Sequence, residues 1–138
     1  MNQDNNQKME WYEFDASSMP LGRLATKISS LLIGKHRVDY APNKVLPVHV
    51  VVTNTDKIVV TGNKEVQKMY RKYSGYPGGL RERSLKEQRA RDSRKIINDA
   101  VFGMLPKNKL RPVMMKHLKA YQGAEHPHMA QLNKKDSK

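Results

Sequence analysis

Val48-His49-Val50-Val51-Val52-Thr53 is a run of four valines broken by a single histidine. Short Val-rich runs without polar alternation suit strands covered on both faces, and parallel sheets are built from such strands. Upstream, Leu21, Leu24, Ala25, Ile28, Leu31 and Leu32 recur at helical spacing. Pro20 stands in the first turn, where a missing N–H costs nothing, and Gly34 stands where that helix should stop. Further upstream, Trp11-Tyr12-Glu13-Phe14 is a β-prone run, followed by the turn residues Asp15 to Ser18. Strand, helix and buried strand in that order predict a layered α/β fold rather than a bundle or barrel.

Downstream, Lys57-Ile58-Val59-Val60-Thr61 reads as another short strand, ended by Gly62-Asn63. A helix is expected from near Lys64, with Val66, Met69, Tyr70 and Tyr73 facing the core. Gly75-Tyr76-Pro77-Gly78-Gly79 cannot continue it. Ser84 and Glu87 have capping-box spacing and should open a short basic helix carrying Arg89 and Arg91. Asp92 or Ser93 should cap the next helix, whose apolar face is Ile96, Ile97, Ala100, Val101, Met104 and Leu105. Beyond the first seventy residues the pattern reads as helical. The expected organisation is a disordered segment over 1–9, one domain over 10–131 and a polar, basic tail over 132–138.

Charge decides the class of partner. The chain of 138 residues has a formal net charge of +13. Residues 1–63 carry 7 basic and 6 acidic side chains, net +1, and residues 64–138 carry 19 and 7, net +12. A neutral half suits a scaffold, and a strongly cationic half points to a polyanion. No apolar run approaches the length of a transmembrane helix, which disfavours a membrane. The polar N-terminus resembles neither a signal peptide nor a transit peptide, so a cytoplasmic setting is expected.

The stretch from Lys64 to Arg83 concentrates this chemistry. Lys64, Lys68, Arg71, Lys72, Arg81 and Arg83 are interleaved with Tyr70, Tyr73 and Tyr76 around the Gly/Pro loop. Cations meet phosphates, tyrosine rings stack on bases, and glycines such as Gly78 and Gly79 let backbone approach a ligand closely. Tyr70 is expected in the core. Arg23 and Lys35, near the ends of the first helix, are further phosphate candidates, whereas Lys27 fits a solvated face.

Catalysis finds little support. The chain has no cysteine, which excludes disulfides, thiolate zinc sites and cysteine nucleophiles. There is no G-x-G-x-x-G, and Gly62-Asn63-Lys64 is not a Walker loop. Glu10, Glu13 and Asp15 are close in sequence, but nothing marks them as a metal cluster. His126-Pro127-His128 lacks a third ligand for zinc and needs no metal as a packing or RNA contact. His49 has no nucleophile or acid beside it and reads as structural. No recognition-helix motif points to DNA.

Ala100-Val101-Phe102-Gly103-Met104-Leu105-Pro106-Lys107-Asn108 resembles the signature of the universal large-subunit ribosomal protein thirteen family in its bacterial form. Other motifs agree in order: Trp11 with Asp15-Ala16, Leu21-Gly22-Arg23-Leu24-Ala25, Gly34-Lys35, Thr61-Gly62-Asn63-Lys64, Lys68-Met69-Tyr70, Gly75 to Leu80, and His126-Pro127-His128 with Ala130-Gln131. The resemblance covers the chain from Trp11 to Gln131. It departs at Val45 to His49, where the family usually has a Gly-Asp turn, and at Arg111-Pro112, where it usually has Gly-Arg. Pro112 lacks a helix donor, so the helix through Val113, Met114, Met115 and Leu118 should start late or bend.

The resemblance implies a three-layer α/β/α fold around a small parallel sheet. It implies a non-enzymatic structural constituent of the large ribosomal subunit, binding large-subunit (23S) rRNA early in assembly. Neighbouring ribosomal proteins would be its other partners, in one copy per cytoplasmic ribosome. No cofactor, metal, membrane or small-molecule substrate is expected. The expected RNA contacts are Arg23, Lys35, Lys64, Lys68, Arg71, Lys72, Tyr76, Gly78, Gly79, Arg81, Lys107, Asn108 and Arg111, with His126 and His128 as further ones.

Overall fold

A computed structural model describes residues 8–133 of the chain. Most of the expected terminal segments, 1–7 and 134–138, lie outside the described residues. The central element is strand β2 (Val48–Thr53), flanked by β1 (Glu10–Asp15) and β5 (Leu118–Ala120) in the order β1-β2-β5. Both pairings are parallel, with Trp11 beside His49, Phe14 beside Val52, and Val50 beside Leu118. This is the α/β fold with a small parallel sheet that the valine run predicts.

Helix α1 (Leu21–Ile33) joins β1 to β2, as its apolar spacing requires. Leu24, Ala25, Ile28 and Leu32 are fully buried and share one core cluster with Val50 and Val52. Full burial of one such large apolar side chain contributes about 1.5–3 kcal/mol relative to exposure. The same cluster takes in Ile96, Ile97 and Val101 of α3 (Leu85–Met104). Hence α1 and α3 cover one face of the sheet. The other face presents Trp11 and His49, whose rings stack at 4.5 Å, and His128 from the C-terminal segment stacks on Trp11 at 5.1 Å. That segment, ending in the short α5 (Met129–Asn133), is the thinner outer layer.

Four local expectations are corrected. The helix from Lys64 ends at Gln67 as α2 (Lys64–Gln67), and Met69–Tyr73 is strand β3. Val66, Met69 and Tyr73 are exposed, so only Tyr70 of that apolar series reaches the core. The backbone is instead satisfied by an antiparallel ladder with β4 (Leu80–Ser84), which also overturns the wholly helical reading of the second half. The valine-rich segment after β2 is no strand: a 3₁₀ turn (Thr55–Lys57) precedes Ile58, and Val59 only bridges Pro20. Pro20 has no N–H with which to extend that ladder. Finally, α4 (Arg111–Lys116) starts on time, with Pro112 in its first turn, and Leu118 belongs to β5 rather than to the helix.

The caps were legible. Ser84 Oγ accepts the Glu87 N–H, and Asp92, at φ −160°, kinks α3 while its carboxylate accepts the Arg94 N–H at 3.1 Å. Gly34 ends α1 at φ +83°. A Cβ on Gly34 would fall 2.2 Å from Cδ1 of the fully buried Leu46. Gly34→Ala therefore combines left-handed strain with a core clash and should cost at least ~2 kcal/mol. Urea unfolding measures this; a loss under ~0.5 kcal/mol would mean that the turn and Leu46 relax freely.

Candidate nucleic-acid interface

The stretch from Lys64 to Arg83 forms an arm built on α2 and the β3–β4 hairpin. Register sorts its side chains. Tyr70 opposes Arg83 and Lys72 opposes Arg81, so one face carries three cations and the tyrosine that enters the core. The other face carries Met69, Tyr73 and Leu80, all exposed, around the Arg71–Glu82 ion pair at 2.6 Å. Arg71 is thus partly neutralised, whereas Lys72 and Arg81 have no ion-pair partner among the described residues. Lys72, Arg81, Arg83 and Lys95, with the carboxylates Glu82 and Asp99, line a cleft of about 140 Å³ between hairpin and α3.

Residues that the sequence reading left out hold this arm in place. The Leu85 N–H donates to the Lys68 carbonyl at 3.0 Å, and Arg89 of α3 pairs with Glu65 of α2. Gln88 is almost fully buried: its amide oxygen accepts from Arg83 at 3.1 Å, and its N–H donates to the Asp92 carbonyl at 3.0 Å. One side chain thereby ties the foot of the hairpin to the kink of α3. The missed signal was a Gly/Pro loop between two short β-prone runs, which marks a hairpin.

At the tip, Gly75 and Gly78 have φ of +87° and +71°, and the Gly79 N–H closes the turn on the Tyr76 carbonyl at 2.9 Å. A Cβ on Gly79 would lie 2.0 Å from Ser74 Oγ and 2.9 Å from the Tyr76 carbonyl oxygen, so this glycine is needed by the turn itself. Tyr76 is 75% exposed. Lys64 and Lys68 line a second cleft, of about 350 Å³, between the start of α1 and the end of α3. Lys68 also lies over the Tyr70 ring at 5.6 Å. Arg23 is exposed in the first turn of α1, which has neither a side-chain cap nor an acid, a setting that favours anions.

The remaining candidates lie outside the hairpin. Lys35 is exposed just beyond the Gly34 cap, and Lys107 and Asn108 are exposed after α3. The Asn108 carboxamide oxygen accepts the Leu110 N–H at 3.0 Å. Arg111 is half-buried; its guanidinium lies 4.3 Å from the Phe102 ring centroid and donates to the Pro106 carbonyl at 3.1 Å. It works as a staple for the Pro106–Asn108 loop. His126 and His128 join the packing of the back face. His126 Nδ1 accepts the His128 N–H at 3.2 Å, which leaves Nε2–H to donate to Glu13 at 3.3 Å. His128 Nε2 meets the Tyr121 hydroxyl at 2.8 Å. No group of three or more His, Cys, Asp or Glu that could hold a metal occurs among the described residues.

The family model for ribosomal protein L13 matches residues 9–127. The chain belongs to the ribosomal protein L13 family. The large ribosomal subunit protein uL13 of Thermus thermophilus is 50% identical over 125 residues, covering 91% of this chain and 89% of its own length. The uL13 proteins of Solibacter usitatus and Legionella pneumophila are 48% and 46% identical, covering 92% and 94% of this chain and 89% and 90% of their own lengths. Family membership makes the chain a structural ribosomal protein rather than an enzyme.

The back-face histidines have a consequence for pH. Burial, then the neighbouring His117, Lys119 and His128, pushes His49 down from 6.5 to about 4. Burial also lowers His117 and His128. Because their folded pKa values lie below the unfolded ones, these rings favour the native state above about 6.5, and that stability is lost as pH falls toward 4. Proton NMR of the ring should find His49 neutral at pH 5.5 and titrating near 4. A midpoint at the ordinary histidine value would show that the Trp11 stack does not exclude water.

Proposed function

We propose that this chain is a structural constituent of the large ribosomal subunit that binds 23S rRNA early in subunit assembly, one copy per particle in the cytoplasm, beside other ribosomal proteins. The observation that carries the reading is the family match joined to an exposed cationic hairpin. Its positive face carries Lys72 and Arg81, which have no ion-pair partner among the described residues, in the half of the chain that holds net +12. Lysine and arginine release counterions condensed on phosphates, and folded RNA is held chiefly by shape and backbone. Tyr76, exposed at the tip, offers a ring to an unpaired base. Arg23, Lys35, Lys64, Lys68, Lys107 and Asn108 extend the contact beyond the hairpin. Arg71 contributes less than Lys72 or Arg81 because Glu82 already occupies it. Gly78 and Gly79 act through the turn that presents Tyr76.

Filter binding of the full chain to large-subunit rRNA, small-subunit rRNA and mixed duplex DNA, each across a salt series, tests this. Preference for the large-subunit RNA is expected, with affinity falling about a thousandfold between roughly 50 and 200 mM salt. Equal, salt-labile binding to all three would reduce the free protein to generic charge. Within the preferred complex, replacing Lys72 and Arg81 together with Ala should lower the salt slope by about 2, and Arg71→Ala alone by less than 1. Equal effects of the two changes would remove the distinction that the Arg71–Glu82 pair makes.

A further inference from the structure

The cleft of about 350 Å³ beside Lys64 and Lys68 has a composition that phosphate binding does not explain. Val60, Ala100 and Met104 give it an apolar wall. Gly22 and Gly103 line it with backbone only, and a Cβ on either would meet no atom within 4 Å, so the space is open rather than filled by packing. Its volume lies in the range of pockets that enclose small ligands. The same cleft contains Asp99, a carboxylate placed where a pure phosphate site would exclude one. Burial raises the Asp99 pKa, with Lys95 and Lys68 opposing that rise.

We infer that this cleft holds one unstacked RNA base, guanine in preference, with Asp99 reading its Watson–Crick edge and Lys64 and Lys68 holding its flanking phosphates. This rests on the RNA-binding reading and deepens it. Sequence-specific recognition of RNA takes splayed-out bases against apolar surfaces and reads their edges by hydrogen bonds. A carboxylate can only accept. Guanine presents N1–H and N2–H side by side, which a carboxylate takes in two parallel bonds. Cytosine and adenine offer one amino group. Uracil offers a single N3–H between two carbonyls, which face the carboxylate unfavourably. The lysines at the rim neutralise the phosphates that Asp99 would otherwise repel. Gly22 and Gly103 allow a planar ring to lie directly against backbone.

Amide chemical shifts of the full chain, titrated with GMP, UMP and inorganic phosphate separately, test the inference. Gly22, Ala100 and Gly103 should shift saturably with GMP, about tenfold more weakly with UMP, and not with phosphate. Gly103→Leu, which fills the cleft from an open helical position, should abolish the GMP response at unchanged helix content. Asp99→Asn, which preserves shape, should erase the preference for GMP over UMP. No base-dependent shift, the same shift with phosphate alone, or full GMP binding by Gly103→Leu would overturn the inference. Large-subunit rRNA binding separates the two levels. If the wild type prefers that RNA and Gly103→Leu binds it equally well, the cleft inference alone falls. If the wild type shows no such preference, the RNA reading falls and the inference with it.

Discussion

The structure depends on β2 being dry on both sides. Val48, Val50, Val51 and Val52 are fully buried, so the strand cannot turn either face to water. Its backbone groups are consumed by parallel neighbours, and parallel neighbours require crossovers, which deliver α1 to one face. The second crossover is long enough to carry the arm and α3 before it returns as β5. The opposite face lacks a long helix and is sealed by stacked rings, Trp11 on His49 and His128 on Trp11. These rings bury area and leave imidazole nitrogens with few partners, which is why the histidines there resist protonation.

With the interior committed to β2, the charge has only the periphery. Net +12 in residues 64–138 would repel itself in the free protein. Three of the seven acids of that half pair with particular cations, among them Glu82 with Arg71 within the hairpin and Asp92 with Arg94 at the kink. Glu65 answers Arg89 where α2 meets α3. These pairs are partly exposed and individually weak, so their effect is placement more than stability. They fix the arm and leave Lys72 and Arg81 without an ion-pair partner among the described residues. A polyanion would relieve the residual repulsion, so binding and folding of this half reinforce each other.

The central architecture was legible because it is written in periods: the valine run, the i, i+3, i+4 spacing of α1, and the caps at Gly34, Ser84 and Asp92. The arm was misread because Val66, Met69, Tyr70 and Tyr73 satisfy a helical period by coincidence. Three of them face solvent, so burial did not select that spacing. The deciding information was non-local, namely the pairing with Leu80–Ser84. Ile58 to Thr61 failed for a related reason. Val-rich composition makes a strand available, but a neighbour with free donors is needed, and Pro20 cannot supply one. The cationic character of the arm was legible from composition. The packing of Arg111 on Phe102 was not, because it exists only once α4 folds back toward α3.

Gln88 shows how little of the arm's geometry is carried by the arm itself. It is, with Ser93, a buried polar group in a helix whose other buried side chains are aliphatic, and burial of an unpaired amide is costly. Both of its roles are filled, one by Arg83 and one by the Asp92 carbonyl at the kink. Gln88 thereby joins the kink to the arginine at the foot of the hairpin. Asp99 lies further along the same helix and borders both clefts. The cationic face of the hairpin and the cleft beside Lys64 and Lys68 are thus placed by one element. Moving α3 moves both, so whatever the two surfaces bind is read at a fixed spacing set by α3 rather than by the hairpin tip.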